Sequence, residues 1–96
     1  MKFEWDAHKN SLNRKRHQVS FENAVRVFSD PARIVKFDIG HSDSEDRWIT
    51  IGMVYPALLF VVYTERQDGA VCRIISARKA NASEKREYNY LRAGHQ

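Results

Sequence analysis

The stretch from Arg47 to Arg78 constrains the fold more than any other part of the chain. Three β-type runs follow one another there, "RWITIGMV", "LLFVVYTER" and "AVCRIISAR". The first alternates Ile49, Ile51 and Met53 against Trp48, Thr50 and Val54, the period-two pattern of a half-buried strand. The second is apolar almost to Thr64, as a central strand covered on both faces should be. Tyr55-Pro56 and Asp68-Gly69 separate the runs, and Asp-Gly is a strong hairpin signal. Short connections of this kind make the pairing antiparallel. Upstream, "RIVKFDI" adds a short strand before the polar tip "GHSDSED", and "KFEWD" reads as a short edge strand.

Helix signals flank this block. Asp6 is placed to cap a helix running through about Arg16; with Ala7 and Leu12 its only aliphatic residues, that helix is expected on the surface. Ser20 caps a second, with Val19 packing on Ala24 as a hydrophobic staple. Phe21, Ala24, Val25 and Phe28 fall at i, i+3, i+4 and i+7, giving one apolar face before Asp30-Pro31 stops the helix. Asn81 with Glu84 three residues on nearly matches a capping box. The helix that follows carries Tyr88 and Leu91 on one face and ends near Gly94. The expectation is an α+β fold, with an antiparallel sheet of three to four strands, two N-terminal helices and one C-terminal helix. With no repeat or linker, residues 1–96 read as a single domain.

Several function classes drop out. No apolar run approaches the ~20 residues of a membrane span, and "MKFEWDAHKN" lacks the apolar core of a signal peptide. Cys72 is the only cysteine, which excludes an internal disulfide and a cysteine-rich zinc site. A reducing, cytoplasmic setting fits. His8, His41 and His95 lack metal-ligand spacing, so no metal and no cofactor are expected.

Charge is distributed unevenly. The net charge is +4, but residues 8–17 hold Lys9, Arg14, Lys15 and Arg16 without an acid. Residues 73–92 hold Arg73, Arg78, Lys79, Lys85, Arg86 and Arg92 against Glu84 and Glu87 alone. The acids gather in "HSDSED". Such asymmetry favours a polyanionic partner, because phosphate contacts dominate nucleic-acid affinity; a solvated basic surface is the plainer alternative.

Arg47, Arg66, Arg73 and Arg78 stand at or beside strand ends. Guanidinium groups bind phosphate bidentately and stay charged, so a cluster of them on a sheet makes a phosphodiester cradle. The competing reading is gatekeeping charge paired with Glu65 and Asp68. Strict alternation turns Arg73 and Arg78 to opposite faces, unless the pleat breaks near the strand end. His17 is the leading titratable candidate, since imidazole moves protons near neutral pH; as a helix-ending residue it equally complements the macrodipole. Glu84 and Tyr88, at i and i+4, share a helix face just after the arginine-bearing strand and could orient a ribose hydroxyl or stack on a base. Trp5, Trp48 and Tyr90 could stack on bases or simply pack.

The segment "FEWDAHKNSLNRKRHQVSFENAVRVFSDP" resembles the opening of BrnT-like toxins, and "RWITIGMV", "LLFVVYTER" and "RIISARKA" with Glu84 and Tyr88 match the rest of that pattern. The resemblance implies a RelE-like fold and a metal-independent endoribonuclease toxin of a type II toxin–antitoxin pair. It implies as partners an RNA substrate and a BrnA-like ribbon-helix-helix antitoxin that carries operator DNA binding. The recurring polar positions match His17, Arg47, Thr64, Arg66, Arg73, Ser76, Arg78, Glu84 and Tyr88. Together with the residue-level reading, His17, Arg78, Glu84 and Tyr88 are the catalytic candidates, and Lys15, Arg47, Arg66, Arg73 and Lys79 the phosphate-binding ones. A non-catalytic module binding RNA or antitoxin through a basic sheet is the alternative. One departure stands out: the family's His-Gly is His17-Gln18 here. Glycine supplies a left-handed helix end, and glutamine there costs roughly 1 kcal/mol, so the first helix is expected to end differently.

Overall fold

The computed structural model describes residues 1–94. The elements are β1 (Lys2–Glu4), α1 (Ala7–His17), α2 (Phe21–Val25), β2 (Ile34–Phe37), β3 (Trp48–Val54), β4 (Ala57–Arg66), β5 (Val71–Lys79) and α3 (Ala82–Arg92). One five-stranded sheet runs in the order β1-β5-β4-β3-β2. The α+β class holds, but the sheet is mixed rather than antiparallel and has more strands than expected. β1 joins β5 in parallel, Phe3 opposite Cys72. The short edge strand read in "KFEWD" is present as β1, but its parallel pairing gave no local signal, because the partner lies far along the chain.

Each helix starts where the capping residues indicate. Asp6 accepts from the Lys9 N–H, Ser20 from the Asn23 N–H, and Asn81 and Glu84 form a full capping box. The second helix is shorter than its apolar spacing implies: it tightens into a 3₁₀ turn over Arg26–Ser29. Gln18 also departs from expectation. It adopts the left-handed conformation (φ 57°, ψ 28°), so α1 ends as a glycine-terminated helix would. Its N–H donates to the Arg14 carbonyl and its side chain to the Lys15 carbonyl, two bonds that offset the backbone strain.

The two sheet faces are unequal. On one, Phe21, Ala24 and Val27 pack on Val61, Tyr63, Cys72, Ile74 and Ala77 to form the main core. On the other, Tyr88 of α3 packs with Ile51, Leu58 and Ala80. α1 reaches the sheet through asparagine rather than aliphatic residues. Asn13 is 7% exposed and donates to the carbonyls of Val19 (2.9 Å) and Ala77 (2.7 Å), while accepting from the Ala77 N–H (3.2 Å). It therefore completes the edge of β5 beyond the end of β1, where an open ladder would otherwise meet water. Asn10 likewise accepts from the Phe21 N–H and donates to Glu22. The helix expected to lie on the surface does show Arg14, Lys15 and Arg16 to solvent, but it is anchored by a buried polar seam.

That seam fixes a direction. Glu4 sits level with Arg73, whereas Asn13 meets Ala77 further along β5. α1 thus runs beside β5 in the same sense, and its last turn lies towards the Lys79 end.

Candidate anion-binding face

The register of β4 with β5 builds the site. Val62 pairs with Ser76 and Tyr63 with Ile74, so Ile75 is an extra residue in β5, a β-bulge. The bulge shifts the alternation by one. Ile74 and Ala77 both enter the main core, and Arg73, Ser76 and Arg78 consequently share the opposite, α3-side face. Strict alternation separates the two arginines; the bulge reunites them.

Arg78 is the most constrained of the group. Its Nη1 and Nη2 donate to Glu84 Oε1 and Oε2, both at 2.9 Å, and Nη1 donates also to the Lys79 carbonyl at 3.1 Å. The guanidinium lies over the Phe60 ring, 3.9 Å from its centroid. Phe60 is its cross-strand neighbour. Of the five guanidinium N–H groups, three are occupied. Nε–H and the second Nη2–H have no acceptor among the described residues, and they lie along one edge of the plane. That edge is the fork that takes a carboxylate or phosphate bidentately.

Glu84 is held in turn. Oε1 accepts from the Asn81 N–H at 2.8 Å as well as from Arg78, so the capping box that starts α3 also aims the guanidinium. The Arg78 hydrogen bonds hold the Glu84 carboxyl below its ordinary range against the opposing effect of burial, and the Asn81 N–H adds to the lowering.

Tyr88, expected beside Glu84, is directed elsewhere. It is 3% exposed, and its hydroxyl donates to Asp30 Oδ2 at 2.5 Å. Burial, followed by the hydrogen bond to Asp30, pushes its pKa up to about 12. Asp30 is itself fixed: burial raises its pKa, but bonds from Tyr88 and from the N–H groups of Met53 and Ala32 more than offset that and leave it lowered. The pair pins α3 to the segment that precedes β2.

The other arginines occupy separate levels of the sheet. Arg73 pairs with Thr64 in register and donates to Glu4 at 2.8 Å. Arg47 precedes β3 at that same level, with no ion pair among the described residues. Arg66 is two residues further along β4, within 3.6 Å of Glu45. The expected partners Glu65 and Asp68 are not the ones used. Lys79 pairs with Leu59 in register, out of phase with Arg78. His17 is exposed in the last turn of α1, and among the described residues no hydrogen bond or ion pair holds its ring. Lys15, also exposed, lines a groove between α1 and α2 with Arg14, Gln18, Glu22 and Arg26.

Trp5 and Trp48 pack against the main core, in edge contacts with Phe21 and Phe37. Phe60, the aromatic ring stacked under Arg78, is one that sequence reasoning passed over; only its register opposite Arg78 could have singled it out. Glu4 was missed for the same reason. Among the described residues no group of three or more His, Cys, Asp or Glu is placed to hold a metal ion; His95 lies outside them. No described helix is long and apolar enough to cross a membrane.

A small basic α+β protein whose sheet arginines are oriented by carboxylates is suited to meet an anion. Residues 5–84 match the family model of BrnT, described as the ribonuclease toxin of a type II toxin–antitoxin system, and the chain belongs to that family. Membership implies an RNA target and an antitoxin partner. A search among curated proteins found no match.

Proposed function

We propose that this protein is a metal-independent endoribonuclease in which Arg78 stabilises the reacting phosphate. The observation that carries this reading is the open Nε/Nη2 edge of a guanidinium already fixed by Glu84 and Phe60. A donor held in place before the reaction stabilises developing charge without reorganising. The RNA 2′-oxygen attacks the adjacent phosphorus and its proton passes to a base. The bond from phosphorus to the 5′-oxygen then breaks, and that oxygen takes up a proton, leaving a 2′,3′-cyclic phosphate and a 5′-hydroxyl.

The proton-transfer role falls to His17. Glu84 already accepts three N–H bonds and its lowered pKa makes it a weak base, which supports a positioning role. The Tyr88 hydroxyl is committed to Asp30, which supports a structural role. The His17 ring has no hydrogen bond or ion pair among the described residues, and it stands one turn beyond Asn13, which bonds Ala77 beside Arg78. Arg47, Arg66, Arg73, Lys15 and Lys79 supply the wider phosphate contacts. The fold is RelE-like, a single toxin domain acting in the cytoplasm. The antitoxin is BrnA-like, with a ribbon-helix-helix region that binds operator DNA.

The test is cleavage of RNA by the purified protein with a chelator present, beside growth arrest on expression. Arg78→Ala is expected to lose both while melting within a few degrees of the parent. Cleavage abolished by the chelator would sink the metal-free mechanism. No cleavage at all would favour a module that binds RNA without cutting it.

A further inference from the structure

We propose that the α3-side sheet face holds single-stranded RNA at two separate phosphate stations, Arg78 at the reacting phosphate and Arg73 with Arg47 at a flanking one. This inference rests on the ribonuclease reading of the same face. Register sets the separation. Arg78 is level with Phe60 and Arg73 with Thr64, four β4 residues apart, or about 14 Å at strand rise.

Neither guanidinium is free to close that gap. Glu84 and Phe60 hold Arg78 at one level, and Glu4 holds Arg73 at the other, 2.8 Å away. One phosphate needs its donors within roughly 3 Å of its oxygens, so the two arginines cannot share it. Between them stand Val62 and Ser76, a neutral level with small side chains over which a backbone can pass. At the second station Arg47 adds a cation beside Arg73, while Glu4 pairs with Arg73 and an acidic groove of Glu45, Asp46 and Glu65 borders Thr64 at the same end of β4. An extended single strand presents successive phosphates along such a face and leaves its 2′-hydroxyl free to swing in line with the leaving oxygen.

The two stations separate in kinetics. With the purified chain, a hexanucleotide RNA and a dinucleoside monophosphate, which carries one phosphate, are compared as substrates. Arg73→Gln should raise KM for the hexanucleotide about tenfold with kcat within twofold, and leave the dinucleotide unaffected. Arg78→Gln should lower kcat at least 100-fold on both. Glu4→Gln, which removes the competing carboxylate while leaving Arg73 in place, should lower the hexanucleotide KM. Arg73→Gln lowering kcat on the dinucleotide as Arg78→Gln does would overturn the proposal, because both would then act on one phosphate.

Binding gives an arm that needs no cleavage. Anisotropy with a 2′-deoxy hexanucleotide should show each single variant weaker, and the double variant weaker by the product of the two effects within about twofold, as independent sites require. Each lost phosphate contact should also reduce the salt slope by about 1. A double variant no weaker than the worse single one overturns the two-station arrangement. If the parent cleaves nothing yet binds with these additive effects, the ribonuclease mechanism fails and the two stations stand.

Discussion

Replacing Asn13 by alanine should weaken the fold out of proportion to the size of the side chain. Its amide meets three backbone groups, the Ala77 N–H, the Ala77 carbonyl and the Val19 carbonyl. Ala77 is 1% exposed and Val19 4%, so water does not readily replace the lost partner. Each stranded group costs about 1 kcal/mol at the lower end of the usual range, and the better helix propensity of alanine returns roughly half of one such unit. The expected loss is about 2.5 kcal/mol, a large part of the roughly 5–15 kcal/mol of a typical domain. For a chain of this size that corresponds to a fall in melting temperature on the order of 10–20 °C. Urea titration followed by circular dichroism measures the energy, and amide exchange at Ala77 locates it. A loss below about 1 kcal/mol, or unchanged protection of the Ala77 amide, refutes the idea that this asparagine closes the β5 edge. Asn13→Asp is the control: it keeps an acceptor for the N–H but sets a carboxylate against two carbonyls, and at neutral pH should be at least as damaging.

Tyr88→Phe should cost about 1.5–3 kcal/mol in thermal or urea melts, the worth of a hydrogen bond to a charged group. At a permissive temperature it should retain growth arrest, since its hydroxyl faces Asp30; a variant stable as the parent yet fully inactive would return Tyr88 to the reacting site. The Glu84 carboxyl is held low by Arg78, so its stabilisation is fully present above the unfolded value of 4.5 and is lost as pH falls through the folded one. Glu84→Gln keeps the helix cap and removes the charge, so its melting temperature should decline less steeply between pH 5 and 3 than the parent's. Parallel decline in both would mean that the ion pair contributes nothing.

Local chemistry was legible and long-range pairing was not. Asp6, Ser20 and Asn81 announce their helices because a cap needs only its own side chain and the next turn. β3 and β4 announce themselves by alternation and apolar length. β1 is legible as a short edge strand in "KFEWD", but its parallel partner β5 is not, because three residues show no period and the partner is far along the chain. The bulge at Ile75 is also silent in sequence, yet it decides that Arg73 and Arg78 share a face. Arg78 and Glu84 could each be picked out singly by charge and spacing. Their bidentate bond depends on how α3 starts against the end of β5. Tyr88, at i+4 from Glu84, shows the limit of such spacing: packing against Ile51 and Leu58 turned it to Asp30. Asn13 resisted reading because an asparagine in a polar helix looks like a surface residue until a strand edge is found beside it.

The most direct test of the central claim is cleavage of one RNA oligonucleotide against its twin carrying a single 2′-deoxy sugar on the 5′ side of the cut bond, both with a chelator present. Attack by the 2′-oxygen predicts that the all-ribose strand is cut to a 2′,3′-cyclic phosphate at an undiminished rate and that the substituted strand is left whole at that position. Cutting of the deoxy-substituted bond, or a reaction that stops when the chelator is added, would contradict it.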